Sequence, residues 1–202
     1  SVPPFPQGCA PKSTDAISNL LDMLADLGED EIRLQLVADI IDAFWLIPNQ
    51  PAERTYFIAK FPKQFILFMR TAQGSRMAGL TWATIVSLVG RCVASLFVDE
   101  ARPGARFTSN WAVQIYVDDP WSAARGTPEE VETICAMYAL TWLCLGMPIA
   151  FHKARRGTRL QWIGVALDVN IEERTVEAGN HKEKSDELKI LIREALTTNV
   201  IT

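Results

Sequence analysis

An α+β fold, with helices packed on one face of an antiparallel sheet, is the class this sequence predicts. Three observations carry it. The patterned segments run helix, strand, two short strands, helix, hairpin, helix, hairpin, helix, which suits an α+β sandwich. An apolar run, Trp111-Ala112-Val113-Gln114-Ile115, stops at Tyr116-Val117-Asp118-Asp119 and resumes at Pro120-Trp121, as a hairpin with an acidic turn would. The composition is 49% hydrophobic over 202 residues, enough to build a real core in one sizeable domain.

Taken in order, residues 1 to 12 hold four of the eleven prolines and are expected to be extended. Ser13 or Thr14 can cap a helix with Ile17, Leu20, Leu21, Leu24 and Leu27 on one face, and Gly28 can stop it. Glu29-Asp30-Glu31 reads as a solvated acidic stretch. Leu34 to Ile40 reads as a buried strand that delivers Asp39. Pro48 to Arg54 is a polar connection, followed by short strands at Tyr56 to Phe61 and Gln64 to Thr71, joined through Pro62-Lys63. Ala78 to Phe97 is a helix with Trp82, Ile85, Val86, Val89, Val93 and Leu96 at helical spacing. Asp99 to Asn110 is a loop. Trp111 to Val117 and Pro120 to Ala124 pair as a hairpin with Asp118-Asp119 at its turn.

Thr127-Pro128-Glu129-Glu130 is a helix start: threonine caps, proline suits the first turn, and glutamate three places on completes a capping box. That helix should end near Gly146. Arg155-Arg156-Gly157 reads as a basic turn into a strand from Leu160 to Val169, with Thr175 to Ala178 able to pair. A last helix carries Leu188, Leu191, Ile192, Ala195 and Leu196. The uncharged stretch Ile134 to Phe151 is barely long enough to cross a membrane, and Gly146 and Pro148 interrupt it. It reads instead as a buried helix followed by a strand, with no membrane partner.

A net charge of −4 argues against a protein that coats nucleic acid by charge alone, because phosphate neutralisation drives such binding. The cysteines, Cys9, Cys92, Cys135 and Cys144, form no Cys-x-x-Cys, and the histidines are His152 and His181, so a zinc site is not expected. Buried reduced thiols in an intracellular protein, cytoplasmic or nuclear, are the reading instead. No secretory leader opens the chain, which starts at Ser1 without methionine and is expected to be an excerpt or a processed piece.

Two acidic sites carry the chemistry. Asp39-Ile40-Ile41-Asp42-Ala43-Phe44-Trp45 and Tyr116-Val117-Asp118-Asp119 each follow an apolar run. Carboxylates at strand ends are natural ligands for a hard cation such as magnesium, which takes one or two carboxylates plus substrate phosphates. Asp-rich turns are also ordinary solvated turns, so one pair alone says little.

Together these segments resemble the palm of a reverse transcriptase. Asp39 with Asp42-Ala43-Phe44-Trp45 looks like motif A, and Gln73-Gly74 like motif B. Tyr116-Val117-Asp118-Asp119 matches motif C, Lys153 sits where motif D places its lysine, and Leu160-Gln161-Trp162-Ile163-Gly164-Val165 looks like motif E, the primer grip. The resemblance runs from Leu36 to Val169, and its nearest flavour is the long-terminal-repeat and retrovirus-like group. It implies a palm over 36–170, a partial fingers or linker segment over 1–35, and the start of a thumb or connection over 171–202. Only 38 residues precede Asp39, too few for complete fingers, so the fingers are largely missing and the isolated chain is expected to be nearly inactive.

The resemblance implies template-directed DNA synthesis on an RNA or DNA template-primer from deoxynucleoside triphosphates. Two ions, magnesium or manganese, about 4 Å apart would activate the attacking hydroxyl and stabilise the leaving oxygen. The implied metal set is Asp39, Ile40, Asp118 and Asp119, with Asp39 and Asp118 the main ligands. The implied nucleotide contacts are Asp42, Phe44, Gln73, Gly74 and Lys153. Phe44 would lie beneath the incoming sugar and block a 2′-hydroxyl. Lys153 would protonate or neutralise the pyrophosphate leaving group. Trp162, Ile163 and Gly164 would support the primer end. Each has a plain alternative: a core ring for Phe44, an ordinary turn for Gln73-Gly74, a solvated lysine for Lys153. The sequence departs from motif B, with Thr71-Ala72 for the usual Leu-Pro and no following Ser-Pro. A degenerate, non-catalytic retroelement remnant that binds nucleic acid weakly is one rival. A palm-fold nucleotide cyclase is the other, though the Gly-rich signature it needs at the hairpin is absent.

Overall fold

A computed structural model describes residues 13–96, 110–180 and 182–198. The expected extended N-terminal segment, most of the 99–110 loop and Cys9 lie outside them. Helix α1 spans Ser13–Ala25 and begins at the residue expected to cap it. Strand β1 covers Ile32–Val37. Two 3-10 helices follow, Ala43–Leu46 and, overlapping the polar connection expected over Pro48 to Arg54, Pro51–Tyr56. A small hairpin follows, β2 (Ile58–Phe61) and β3 (Gln64–Leu67), then helix α2 over Ala78–Ser95. β4 (Trp111–Tyr116) and β5 (Asp119–Gly126) precede α3 (Pro128–Cys144). The chain closes with β6 (Arg155–Gly157), β7 (Arg159–Trp162), β8 (Val165–Asn170), β9 (Thr175–Asn180) and α4 (Lys182–Thr198).

The α+β class holds, with antiparallel sheets throughout. The main sheet has the order β4-β5-β1-β6, and a three-stranded sheet has the order β7-β8-β9. Strand alternation sorts the main sheet's residues onto two faces. On one face Trp111, Val113 and Ala124 pack with Trp82, Val86 and Val93 of α2 and Val131, Tyr138 and Trp142 of α3. On the other, Trp121 and Ala123 pack with Leu20, Met23 and Leu24 of α1 and Leu167 and Trp162 of the second sheet. Both faces are therefore covered, one by two helices and one by a helix and a sheet.

Four tryptophans, Trp82, Trp121, Trp142 and Trp162, are fully buried. At ~150–250 Å² each and about 25 cal/mol per Å², each contributes roughly 4–6 kcal/mol of gross burial. At Gly90 of α2 the Ile115 side chain of β4 fills the space a Cβ would occupy, so a larger residue there would push the Ile115 tip aside. α2 is long and apolar enough to cross a membrane. Here its Trp82, Val86, Gly90 and Val93 stripe is buried against the sheet.

Several expectations need correction. The strand expected over Leu160 to Val169 is two strands, β7 and β8, joined by the Ile163-Gly164 turn. Both turn residues have positive φ, 42° and 83°, as a type I′ hairpin requires. The basic turn at Arg155-Arg156-Gly157 is a strand that pairs with β1, because Gln35, Leu36 and Val37 offer it a free edge. Glu31 is not simply solvated, since its carboxylate accepts from the Gly28 N–H and pairs with Arg125 at 3.4 Å. The stretch after α3 makes only an isolated bridge, Ile40 to Ile149. Of the thiols read as buried, Cys92 and Cys144 are exposed. The capping box at Thr127 forms as expected, with Glu130 accepting from the Thr127 N–H at 2.8 Å.

Candidate active site

The β4–β5 hairpin has register Tyr116 to Asp119, so its two-residue turn is Val117-Asp118 and Asp119 already belongs to β5. This shifts the expected turn by one residue. Val117 has φ +53° and Asp118 does not share the positive sign, which matches a type II′ turn. Glycine is the usual occupant there. A β-branched residue in that region costs on the order of 1–3 kcal/mol and persists only where its surroundings enforce it.

The surroundings are specific. The indole N–H of Trp82, from α2, donates to the Val117 carbonyl at 2.7 Å. The N–H of Ile40 donates to the Asp118 carbonyl at 2.9 Å, and that of Ala38 to the Pro120 carbonyl at 3.0 Å. The indole of Trp162, from β7, donates to the Asp119 carbonyl at 3.0 Å. Consecutive carbonyls of the acidic segment are thus each held by a different donor.

These bonds extend β1 beyond its regular end. The pairing of Val37 with Trp121 continues through Ala38 and Pro120, so Asp39 stands opposite Asp119. Pro120 has no N–H to return a ladder bond, which is why the regular strand stops short. Directly opposed residues on one face have Cβ atoms about 5 Å apart. Like charges so placed repel, and Asp119 shows it. Burial first, then the charges of Asp118 and Asp39, push its carboxyl above the ordinary range, and Lys153 opposes them.

Lys153 follows the Ile149 bridge, where the Ala150 N–H donates to the Asp39 carbonyl at 2.9 Å. Its ammonium donates to Asp39 Oδ2 at 2.9 Å. That hydrogen bond, then the charge of Asp39, raises its pKa and keeps it cationic. The lysine is paired with Asp39 while more than half of its side chain stays exposed to solvent. Asp39, Asp118, Asp119 and Lys153 form one electrostatic unit.

The oxygen donors suit a hard divalent ion, and the elevated Asp119 carboxyl marks negative charge that such an ion would relieve. Among the described residues, however, no three Asp, Glu, His or Cys side chains are grouped so that they could hold a metal ion by themselves. A cation here would need oxygen ligands from outside the protein. The Ile40 side chain is buried and its N–H is engaged, so only its carbonyl could be a ligand.

A cleft of about 610 Å³ opens beside this unit. Its wall includes Asp119, Lys153, Arg155, Arg159 and the Trp162-Ile163-Gly164 turn. Arg159 shares its charge with Asp168, at 2.6 Å from Nε to Oδ2. An acidic centre flanked by cations and a tight hairpin can receive a phosphate chain while keeping a cation at the carboxylates.

The remaining site residues stand apart from this unit. Asp42 is exposed, with φ +52°, and opens the 3-10 helix that carries Phe44. Phe44 is half-buried, its ring 6.1 Å from that of Trp82. Gln73 and Gly74 lie on an exposed turn closed by the Ser75 N–H to the Ala72 carbonyl at 3.1 Å, with Gly74 at φ +85°. The motif B departure has a structural use. Thr71 Oγ1 donates to Asn49 Oδ1 at 3.1 Å, and Asn49 Nδ2 donates to the Phe68 and Arg70 carbonyls, tying this turn to the segment after Phe44. The sequence showed Trp82 only as part of a helical stripe. The signal that could have singled it out is that a buried indole N–H needs an acceptor.

No family model matches the chain, and no curated protein does. Solved structures do match. A foamy viral protease-reverse transcriptase in complex with an RNA/DNA hybrid is similar at TM-score 0.57 and 15% identity, over 84% of this chain and 20% of that one. The same kind of protein bound to double-stranded DNA matches at TM-scores of 0.60 and 0.58, with 17% and 15% identity, again over 84% of this chain. The chain spans 26% and 30% of those two proteins. The fold is therefore that of a reverse transcriptase, shared with a minor part of much longer proteins.

Proposed function

We propose that this chain is the palm of an RNA-directed DNA polymerase of the retrovirus-like or long-terminal-repeat type. The observation that carries it is the single electrostatic unit formed by Asp39, Asp118, Asp119 and Lys153 beside a cation-lined cleft. On this reading 36–170 is the palm, 1–35 a partial fingers or linker segment, and 171–202 the start of a thumb or connection. Its partners are an RNA or DNA template-primer and deoxynucleoside triphosphates, inside the cell, with the other polymerase segments supplied by a longer protein.

Asp39, Asp118 and Asp119, with the Ile40 carbonyl, would hold magnesium or manganese. Such ions, if bound, would supply Lewis-acid chemistry, activation of a hydroxyl nucleophile and stabilisation of a leaving oxygen. Lys153, kept protonated by Asp39, stands ready to give its charge or proton to a leaving phosphate oxygen. Arg155 and Arg159 attract the nucleic-acid backbone, and the Trp162-Ile163-Gly164 turn forms the wall against which a primer end rests. Asp42, Phe44, Gln73 and Gly74 face the nucleotide, with Phe44 beneath the sugar.

The test is primer extension by a protein restored with fingers and thumb. Wild type should extend a primer with strict divalent-ion dependence. Asp118→Asn, which removes charge but little volume, should fall to background with an unchanged circular dichroism spectrum. The 202-residue chain alone should be nearly inactive, because its −4 charge gives little phosphate attraction. A restored wild type that binds template-primer but never extends it would instead indicate a degenerate remnant. The altered motif B, where Thr71 serves an internal hydrogen bond, is the feature that favours that second reading.

A further inference from the structure

The Val117–Asp118 peptide is the central peptide of the acidic turn. In a two-residue hairpin it has no ladder partner, and its rotation interconverts turn types. Val117 sits at φ +53°, which its β-branched side chain disfavours, so the turn has a standing reason to rotate away. One group opposes that rotation directly: the Trp82 indole N–H, 2.7 Å from the Val117 carbonyl. The indole is itself immobile. Trp82 is 1% exposed and rests against the Phe44 ring at 6.1 Å. Its helix packs onto β4 at Gly90, where the tip of the Ile115 side chain occupies the space a Cβ would take.

We propose that Trp82 is a positioning residue for the metal-binding turn, its indole N–H fixing the Val117 carbonyl so that Asp118 and Asp119 are presented together with Asp39. This rests on the polymerase reading above. Beyond this peptide the backbone is pinned, the Asp118 carbonyl by the Ile40 N–H at 2.9 Å and the Asp119 carbonyl by Trp162 at 3.0 Å. Rotation of the Val117–Asp118 peptide therefore falls on the N-terminal side of Asp118, which makes it the carboxylate most exposed to loss of the Trp82 bond. The contact with Phe44 ties the same indole to the segment that follows Asp39, so one side chain links both acidic motifs.

The decisive substitution replaces Trp82 with 3-benzothienylalanine, which keeps the shape of the ring and exchanges the N–H for sulfur. The readouts are manganese binding to the full chain by electron paramagnetic resonance and the thermal midpoint of the metal-free protein. Loss of one such hydrogen bond should weaken manganese binding about tenfold, with the midpoint within a few degrees of wild type. Trp82→Phe should weaken binding at least as much. Val117→Gly introduced into the benzothienyl variant should restore affinity, because glycine holds positive φ without a clamp. Unchanged manganese affinity with a lowered midpoint would overturn the inference, leaving Trp82 a packing residue and the metal reading intact. Absence of manganese binding in the wild type would overturn the metal reading itself, and the inference with it.

Discussion

Replacing Arg33 with methionine should make this protein more stable. Arg33 lies on β1, directly opposite Arg125 on β5, so two cations face each other across one sheet. Arg125 has the Met23 carbonyl at 3.2 Å, Asn110 Oδ1 at 3.0 Å and Glu31 at 3.4 Å. Arg33 is 1% exposed, and among the described residues none of its three guanidinium nitrogens has a hydrogen-bond partner. Burial first, then the charge of Arg125, lowers its pKa to about 10, more than two pH units below the ordinary guanidinium value. At ~1.4 kcal/mol per pH unit, that is about 3 kcal/mol against folding at neutral pH. Methionine is similarly long, unbranched and free of polar hydrogens, so it fills the space without the charge. Exchange of a buried charged group for a well-packed apolar one often stabilises by ~1–4 kcal/mol.

The pH dependence has a definite sign. The folded-state pKa of Arg33 lies below its unfolded value, so the penalty is fully present below about 10. It disappears as pH climbs from there through the ordinary guanidinium value. Urea unfolding at neutral pH should therefore give Arg33→Met an advantage of about 2–4 kcal/mol, with an unchanged slope against denaturant. Its melting temperature should rise by roughly 2–4 °C per kcal/mol for a domain of this size. The advantage should hold across neutral pH and shrink above about pH 10. A variant less stable than wild type at neutral pH would refute the reasoning, showing that the guanidinium makes interactions worth more than its desolvation costs.

Two further predictions concern the site. Phe44→Val should admit ribonucleotides in a fingers-restored protein if the ring lies under the sugar, because discrimination of this kind works through a clash. An unchanged ratio of ribonucleotide to deoxynucleotide incorporation, with stability lowered by about 1–3 kcal/mol, would leave only its packing against Trp82. Lys153→Gln should raise the Asp119 carboxyl further above the ordinary range, since the charge of Lys153 opposes that rise. Carboxyl titration followed by carbon NMR measures this, and an unmoved Asp119 would mean that the lysine does not act on the acidic centre.

Local chemistry was legible along the chain. The capping box at Thr127 and the apolar stripe of α2 depend on neighbours a few residues away and form as read, and the β4–β5 hairpin forms with its turn one residue earlier. Elements whose state depends on distant partners were less so. Arg155-Arg156-Gly157 is a strand only because β1 presents a free edge. The residue pattern read Leu160 to Val169 as one strand, since isoleucine at positive φ contradicts its own preference. Only the resemblance to a primer grip implied a tight hairpin at Trp162-Ile163-Gly164.

The same division runs through the site. That Asp39, Asp118 and Asp119 belong to two acidic segments worth comparing could be read from the sequence, because each segment ends an apolar run. How they are held could not. The opposition of Asp39 and Asp119 comes from a register between segments about eighty residues apart. The hydrogen bond between Lys153 and Asp39 spans 114 residues, and the indole bond from Trp82 to Val117 spans 35. Side-chain chemistry is a property of residues and so is written in their order. Distance, strain and shifted charge are properties of pairs, and only the packed chain brings those pairs into contact.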